Sequence, residues 1–546
     1  MQMTRVSILL MLAATALSAG SALTNGGFDE GDSNAFWMTD AGDVDALFTR
    51  DTQVKYAGDA SLRITVPPTE KKAWPNAYQK IAVREGEVYL IEFVLKTDGV
   101  TRGAYLSGDC LDEKGSRISY TGSSLVSGTV DWKKYSVRVT VPAKAVSMQV
   151  KTIVYGSGTA WFDDITAVRD ERTEEAMLAL KKPLPTEWFS RALVSDGNNT
   201  RIKRIFAKAA RGEKTVIGVI GGSITQGASA SSADKRYAAH LLKWWQEHFP
   251  NAQCVLVNAG IGATSSDYGA LRVERDLLSK NPDCIVVEYA VNDMNTQERA
   301  ESYEGVIRRI LTHPSKPGVL LMFMVKESGD NAQEWQSKIG AHYGLPMVSY
   351  RDLLWPEIEA KRIAWKDISP DNIHPNDRGH AYAGKLLGEM LDRLRAAPDS
   401  GSGSEFPAPL LTDMYQFTKL IEADAITPVV NEGWALESPQ DMKCLRTVKP
   451  GSVLEIEMSG ERIFLSFWVI RGPMGKAKIS IDGGEPTIAD AWFDQTWGGY
   501  RRMIMLDPGK GGMHRILIEV LAEKNPLSTG NEFRVMCIGA AGVRGN

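Results

Sequence analysis

The sequence has little cysteine, little histidine and no strong excess of either charge. A net charge of −4 and the lack of a basic stripe argue against a nucleic-acid partner. After residue 22 no segment is apolar enough to cross a membrane, so no membrane span is expected. Cysteine and histidine form no cluster with the spacing of a metal site. The five scattered cysteines are Cys110, Cys254, Cys284, Cys444 and Cys537.

The first residues have the pattern of a secretory signal peptide. Arg5 precedes an apolar run from Ile8 to Leu17, and Gly20 and Ala22 are the small residues expected before a cleavage site. A membrane anchor is the alternative, but the run is too short to span a bilayer and no cysteine follows to carry a lipid. We therefore expect residues 1–22 to be removed and the protein to be secreted or periplasmic.

The chain is long enough for three or four domains of about 150 residues each. Residues 23–170 carry branched and aromatic residues in partial alternation, separated by Gly, Asp and Asn, which predicts a β-sandwich. Its strand candidates include Leu62–Val66, Val88–Leu95 and Ser136–Val141. Residues 171–198 are polar and predict a helical connector.

Residues 199–397 alternate short apolar runs with helical patterns. Such runs suit parallel strands buried on both faces, which predicts a central, doubly wound α/β domain. The strand candidates are Thr215–Ile220, Cys254–Asn258, Cys284–Ala290, Val319–Val325 and Pro346–Ser349. The apolar stripe of a final helix consists of Ala383, Leu386, Leu387, Met390, Leu391 and Leu394.

Beyond this domain the composition changes twice. Residues 398–409 are rich in Gly, Ser and Pro, as linkers are. In Leu454–Met458 and Ala477–Ile481 apolar and polar residues alternate strictly, which predicts strands with one buried face. Residues 410–546 are therefore predicted to form a second β-sandwich.

Three residues with suitable chemistry follow predicted strands of the α/β domain, where ligands of such sheets bind. Ser223 in "GGSIT" is either an exposed nucleophile or a helix cap. Gly262 in "VNAGIGATSSD" (257–267) offers an N–H to an oxyanion, or belongs to a turn that needs small residues. Asn292 in "VVEYAVNDMN" (286–295) brings a side-chain amide to the same crevice, or ends a strand.

A fourth stretch, "SPDNIHPNDRGH" (369–380), precedes the final helix. Its Asp371 and His374 are three residues apart, so one short segment can present an imidazole with the carboxylate that orients it. A histidine that takes a serine proton needs such a partner. His380 is the competitor, but it lies inside the predicted helix, where packing is the simpler role.

The four stretches, in this order, resemble the blocks of the SGNH hydrolases, also called GDSL-type esterases. The resemblance departs from the family pattern at Gly222, where the usual residue before the serine is Asp. It implies a flavodoxin-like sheet, a Ser223 nucleophile, a His374 general base oriented by Asp371, and no cofactor for catalysis. It also implies an oxyanion hole made by the Ser223 N–H, the Gly262 N–H and the Asn292 side chain, with Gly260 or Ala263 as alternative donors if the loop register differs.

Two stretches of the N-terminal region, "LTNGGFDEG" and "GTAWFDDITAVR", resemble carbohydrate-binding modules with a jelly-roll fold. The resemblance implies that the last strand returns beside the first. It also implies a structural Ca²⁺ held by Asp29 or Glu30 with Asp164, because carboxylates are hard oxygen ligands. Solvated turn residues are the simpler interpretation of these three side chains.

Several aromatic residues have the chemistry to stack on sugar rings, although aromatics in sandwiches are more often core. Trp161, in the last predicted strand of the first region, is expected to be core. The candidates for sugar binding are Trp37, Trp74, Tyr78, Tyr105 and Tyr120 in the first region and Trp492 and Trp497 in the last.

Together these features predict a secreted serine esterase that removes acyl groups, chiefly acetyl, from a polysaccharide or oligosaccharide. A lipase or general acylhydrolase is one alternative, but no long apolar lid or amphipathic membrane helix is evident. A thioesterase acting on intracellular acyl carriers conflicts with export. A non-catalytic carbohydrate-binding protein on the same scaffold is the alternative from a different class.

Overall fold

A computed structural model describes residues 20–31, 36–69, 72–180, 182–401, 406–495 and 498–544. Residues 1–19, most of the predicted signal peptide, lie outside the described residues. The chain divides into two compact units, Met1–Glu174 and Glu175–Asn546. Within the described residues no helix is both long and apolar enough to cross a membrane.

The first unit is built from nine strands. They are β1 (Met38–Asp40), β2 (Leu47–Asp51), β3 (Ser61–Val66), β4 (Asn76–Ala82), β5 (Val88–Leu111), β6 (Arg117–Gly122), β7 (Val126–Thr140), β8 (Ser147–Tyr155) and β9 (Gly158–Arg169). All pairings are antiparallel. The backbone also joins Ala22 to Ala167 and Gly26 to Ile165, so the start of the chain runs beside β9.

Strand β5 makes this region one continuous sheet instead of two separate ones. Its first half pairs with β7 and β9, and its second half pairs with β6 and β8. Register shifts between Leu95 and Ala104 mark the change of partners. Side chains from both halves, Phe93 and Leu106 among them, enter one apolar cluster. The sheet therefore covers both sides of a single core.

The second unit begins with a mainly parallel sheet. Its strands are β10 (Leu193–Ser195), β11 (Thr215–Gly221), β12 (Cys254–Gly260), β13 (Cys284–Glu288), β14 (Gly318–Phe323) and β15 (Met347–Ser349). Their order is β10-β15-β14-β13-β11-β12, and β10 alone runs antiparallel. The five predicted strands are confirmed to within two residues at each end. The expectation that residues 171–198 are helical is wrong at Leu193–Ser195, because these residues pair with the edge strand β15.

Helices cover both faces of this sheet. They are α2 (Thr186–Ala192), α3 (Thr200–Ala210), α4 (Ser223–Gln226), α5 (Tyr237–His248), α6 (Ser266–Asp276), α7 (Gln297–Thr312), α8 (Gln333–His342), α9 (Tyr350–Glu359), α10 (Trp365–Ile368) and α11 (Asp377–Ala396). They follow α1 (Glu171–Ala179), which spans the boundary between the two units in the sequence. Alternate residues of β13 enter different clusters, with Val286 on one face and Val287 on the other. The six residues of the predicted stripe on α11 are all buried.

The rest of the chain is mostly β. Its strands are β16 (Thr418–Glu422), β17 (Val430–Glu432), β18 (Ala435–Glu437), β19 (Cys444–Thr447), β20 (Val453–Gly460), β21 (Arg462–Val469), β22 (Lys476–Ile481), β23 (Thr487–Asp490), β24 (Tyr500–Leu506), β25 (Gly512–Val520) and β26 (Phe533–Ala541). They form two antiparallel sheets, of β18-β19-β26-β21-β24 with β16, and of β17-β20-β25-β22-β23. Side chains of both sheets, such as Leu465 and Ile456, meet in one cluster.

The α/β domain and this C-terminal β region share a second apolar cluster. Tyr415, Phe464 and Cys537 from the β region pack there with Leu271 and Tyr303 of the α/β domain. The predicted linker is also bound at both ends. Asn199 donates to the carbonyl of Pro398 at 2.8 Å. The ring of Phe406 stacks on Tyr343, with ring centres 5.8 Å apart.

Candidate active site

The four predicted blocks meet at the carboxyl edge of the parallel sheet. Ser223 lies two residues after β11, Gly262 lies two residues after β12, and Asn292 lies four residues after β13. His374 comes from the loop that precedes α11. Because parallel strands end at the same edge, residues that are distant in sequence come together there.

Ser223, His374 and Asp371 form one hydrogen-bonded chain. The Oγ of Ser223 lies 2.8 Å from Nε2 of His374. On the other side of the ring, Nδ1 of His374 lies 2.7 Å from Oδ2 of Asp371. The order of contacts is that of a nucleophile, a base and a group that orients the base.

The loop that carries His374 is held by its own hydrogen bonds. Oδ1 of Asp371 accepts the backbone N–H groups of Ile373 and His374 at 2.8 and 2.7 Å. The indole N–H of Trp365 donates to the carbonyl of Asp371 at 2.6 Å. Burial alone raises the pKa of Asp371, but the hydrogen bonds from the His374 ring and the backbone lower it overall. The carboxylate is therefore ionised at neutral pH.

Ser223 is not the cap of the short helix that it begins. The cap position of α4 belongs to Gly222, and the serine hydroxyl contacts His374 instead. A Cβ at position 222 would collide with Oδ1 of Asn292. With the asparagine side chain in this position, only glycine fits at position 222.

Of the three predicted N–H donors, two have no acceptor among the described residues. The Ser223 backbone N–H and the Asn292 side-chain amide donate to no other described residue, while the Gly262 N–H donates to Oε1 of Gln226 at 2.8 Å. Of the alternative donors, Gly260 already donates to Asn258 Oδ1 at 2.9 Å. A Cβ on Gly262 would lie 3.8 Å from the Cβ of Ser223, so this glycine faces the serine.

Buried polar residues that the sequence reasoning missed hold these loops. Arg272 is fully buried and donates to the carbonyls of Ala259 and Gly221 at 2.6 and 3.0 Å, at the ends of β12 and β11. Asn258 donates to the carbonyl of Thr225 at 2.7 Å. Asn258 lies in a motif already quoted, whereas no local pattern marks Arg272.

Asp293, the residue after Asn292, links the third block to two helices. Its carboxylate accepts the backbone N–H of Ser266 at 2.9 Å and the side-chain amide of Gln336 at 3.0 Å. Burial raises the pKa of Asp293 to about 7. This residue also lies in a quoted motif, so its proximity to Asn292 was a signal that could have found it.

Comparison with known proteins identifies the family. Residues 219–382 match the model of the GDSL-like lipase/acylhydrolase family. A solved structure described as a two-domain esterase (CEX) active on acetylated mannans is 31% identical, with a TM-score of 0.62, and the match covers 66% of this chain and 99% of that chain. The chain belongs to the GDSL-like lipase/acylhydrolase family. It is a carboxylic ester hydrolase.

Further comparisons add detail to this assignment. The same esterase co-crystallized with mannopentaose matches this acylhydrolase with 31% identity, the same coverage and a TM-score of 0.61. The CBM22-1 xylan-binding domain from Paenibacillus barcinonensis Xyn10C is 18% identical over 28% of this chain and 97% of that chain, with a TM-score of 0.23. That likeness is too low to bear on function. No curated protein matches the chain.

A cavity of about 140 Å³ opens beside the Gly262 loop of the acylhydrolase. Ala263 lines one side, and Tyr500 of the C-terminal β region lines the other. Three arginine residues also line it, Arg299, Arg501 and Arg502. The cavity begins one residue after Gly262, and several of the side chains that line it carry hydrogen-bond donors.

The predicted sugar-binding aromatics of the N-terminal unit fall into two groups. Trp37 is buried against Phe28 in the apolar core, and Tyr105 is also buried. These two rings cannot offer a face to a sugar in this structure, because packing covers them. Trp74 and Tyr120 are 49% and 41% exposed. Trp161 is buried, as expected.

Two of these aromatic rings contact a neighbouring side chain. Trp74 stacks on Tyr155 with ring centres 5.2 Å apart. Tyr78 is partly buried, and the ammonium of Lys151 lies 5.9 Å from its ring centre. In the second unit, Trp492 is partly buried against the core of the C-terminal β region. Trp497 lies outside the described residues.

The region predicted to hold calcium contains a competing cation. The guanidinium of Arg50 donates to the carbonyls of Phe28 and Asp29 at 2.6 and 2.9 Å, and this positive charge disfavours a metal ion at the same place. In the part of the chain that the structure describes, no group of three His, Cys, Asp or Glu side chains could hold a metal ion. Calcium binding by Asp29, Glu30 and Asp164 stays a prediction.

Proposed function

We propose that this acylhydrolase is a serine esterase that removes O-acetyl groups from a polysaccharide or oligosaccharide. The observation that carries the proposal is the continuous hydrogen-bonded chain from Ser223 through His374 to Asp371. Such a chain lets a serine hydroxyl lose its proton as it attacks an acyl carbon.

The reaction follows from the contacts. Nε2 of His374 takes the proton of Ser223 Oγ as that oxygen bonds to the acetyl carbon. The carbonyl oxygen becomes an oxyanion, which accepts from the Ser223 N–H, the Gly262 N–H and the Asn292 amide. The bond between the acetyl carbon and the sugar oxygen then breaks, His374 gives its proton to that oxygen, and the acetyl group stays on Ser223. Water, activated by the same imidazole, then releases acetate and restores Ser223.

The substrate class is supported by the solved esterase active on acetylated mannans. The cavity beside Gly262 is consistent with it, because arginine and tyrosine side chains can donate hydrogen bonds to sugar hydroxyls. We also propose that the protein is exported and that the N-terminal unit binds glycan through exposed rings such as Trp74 and Tyr120. No observation on the chain favours a lipase, a thioesterase or a non-catalytic protein over this function.

The strand order of the parallel sheet supports a flavodoxin-like fold for the catalytic domain. In chain order, the parallel strands β11 to β15 are arranged as 2-1-3-4-5, which is the flavodoxin arrangement. The two antiparallel sheets around one core support a β-sandwich for the C-terminal region. The bent sheet of the N-terminal unit supports a sandwich-like module.

The test is hydrolysis of p-nitrophenyl acetate by the wild type and by Ser223→Ala. Loss of the nucleophile is expected to lower kcat by at least roughly 10³-fold. Ser279→Ala, at an exposed serine beyond α6, is the matched control and should keep wild-type activity. Activity of Ser223→Ala equal to that of the wild type contradicts the proposal. Acetate release from acetylated mannan, xylan and pectin then identifies the substrate.

A further inference from the structure

Gln226 is the last residue of α4 and lies three residues after Ser223. Residues three apart on a helix share a face, so its side chain reaches the same crevice as the serine hydroxyl. The side chain is exposed, and its Oε1 accepts the Gly262 N–H at 2.8 Å. The side-chain carbonyl of Gln226 therefore accepts the hydrogen bond of one N–H, that of Gly262, which is assigned to the oxyanion.

The contrast with the other two donors shows what this contact does. The Ser223 backbone N–H and the Asn292 side-chain amide have no acceptor among the described residues, so they are ready to receive an oxygen. The Gly262 N–H, in contrast, already donates to Oε1 of Gln226. A carboxamide oxygen and an ester carbonyl oxygen are similar acceptors, so both compete for one N–H.

Only the side chain of Gln226 is free to move. Its backbone N–H donates to the carbonyl of Gly222 at 3.0 Å. On the other side, a Cβ at Gly260 would collide with the backbone N of Gln226, so β12 and α4 are in close contact. Release of the Gly262 N–H thus needs rotation of one exposed side chain and no movement of the loops.

We propose that Gln226 is a displaceable cap on the Gly262 donor, an inference that rests on the oxyanion role proposed above. In the resting enzyme its Oε1 holds the N–H. When the substrate binds, the carboxamide turns into the crevice and the acyl oxygen takes its place. The cap competes with every ligand that puts an oxygen in the oxyanion hole, so its removal strengthens their binding.

The test compares Gln226→Ala and Gln226→Met with the wild type on p-nitrophenyl acetate. Both variants lack the acceptor, and the methionine keeps most of the side-chain volume. Since one hydrogen bond is removed from the resting state, kcat/KM is expected to rise roughly two- to ten-fold. The inhibition constant of phenylboronic acid, whose adduct with Ser223 places an oxygen in the hole, should fall by a similar factor. Gln297→Ala, at the start of α7, is the control and should change neither value.

Gln226→Glu tests the same idea in the opposite direction. Its carboxylate forms a stronger, charge-assisted bond to the N–H and repels the oxyanion, so kcat/KM should fall at least roughly ten-fold. Unchanged or lower kcat/KM in both Gln226→Ala and Gln226→Met overturns the cap. This failure is distinct from failure of the esterase proposal, because it leaves Ser223→Ala inactive and the wild type active.

Discussion

The two β regions of this acylhydrolase have similar sequence patterns but different relations to a core. The N-terminal unit closes its sheet around one apolar cluster of its own. The C-terminal region has an internal cluster and also contributes Tyr415, Phe464 and Cys537 to the core of the catalytic domain. The N-terminal region is therefore a separate folding unit, whereas the C-terminal region forms part of the core of the catalytic domain.

Hydrogen bonds also attach the C-terminal β region to the catalytic domain. The buried carboxylate of Glu304, on α7, accepts the backbone N–H groups of Leu410, Leu411 and Thr412 at 2.6, 2.9 and 3.0 Å. The chain entering the C-terminal region is thus fixed to the catalytic domain before its first strand begins.

Deleting each β region in turn should give the largest difference between them. Deletion of residues 1–174 removes a unit with its own core, so activity on p-nitrophenyl acetate is expected to stay within about two-fold of wild type. Deletion of residues 413–546 exposes Leu271 and Tyr303 to water, and we expect loss of soluble, active enzyme. Soluble yield and ester hydrolysis measure both outcomes.

A stable, active chain without residues 413–546 would contradict the shared core. The deletion of residues 1–174 also tests the proposed glycan-binding role of the N-terminal unit. Retention on insoluble acetylated polysaccharide should be lost in that variant. Equal retention and equal acetate release with and without the unit argue against targeting.

Single substitutions in the two cores should show the same difference between the β regions with a smaller effect. Tyr415→Ala and Phe162→Ala each remove a buried aromatic ring, from the shared cluster and from the N-terminal cluster respectively. Each should cost about 3–5 kcal/mol in the unfolding of its own unit. Calorimetry measures the unfolding of each unit, and the esterase activity that remains after heating measures inactivation. Only Tyr415→Ala should lower the temperature of inactivation. Equal inactivation of the two variants would mean that the units are not independent.

A pH-dependent effect on the second unit should be the smallest of the three. Burial, reinforced by the charge of Asp293, raises the pKa of Glu288 to about 8, against about 4.3 in an unfolded chain. The folded state therefore binds the proton more tightly. Its contribution to stability is full below about pH 4 and is lost as pH rises toward 8.

Glu288→Gln keeps the neutral form at every pH. The unfolding temperature of Glu288→Gln minus that of the wild type should be larger at pH 8 than at pH 5. Glu247→Gln, at an exposed residue on α5, should show no such difference. The transition of the N-terminal unit should not respond to Glu288→Gln. A constant difference between Glu288→Gln and wild type across this range would contradict the raised pKa.

Local patterns predicted the catalytic domain well because its strands are buried on both faces. Thr215–Ile220 was predicted and Thr215–Gly221 is found, since an uninterrupted apolar run needs no partner to be recognised. The motif order brought together Ser223, Asp371 and His374. The positions of these residues at one sheet edge follow from the parallel topology.

Long-range contacts set the limit of that prediction. The pattern around Trp37 and Tyr105 is the same for a core ring and an exposed ring, and only packing decides between them. The contact of Gln226 with Gly262 joins two blocks that are 36 residues apart. No local rule places a glutamine on that N–H. The cluster shared by the two regions of the second unit is likewise absent from any single segment.

The fit between Gly222 and Asn292 also constrains the evolution of this enzyme. A single-base change in a glycine codon can give aspartate, the residue more usual before the nucleophile in this family. Here the new side chain would meet the Asn292 amide, so the change is blocked unless the asparagine moves as well. The two side-chain positions are therefore coupled in this structure, and a search pattern that demands aspartate before the serine will miss enzymes built this way.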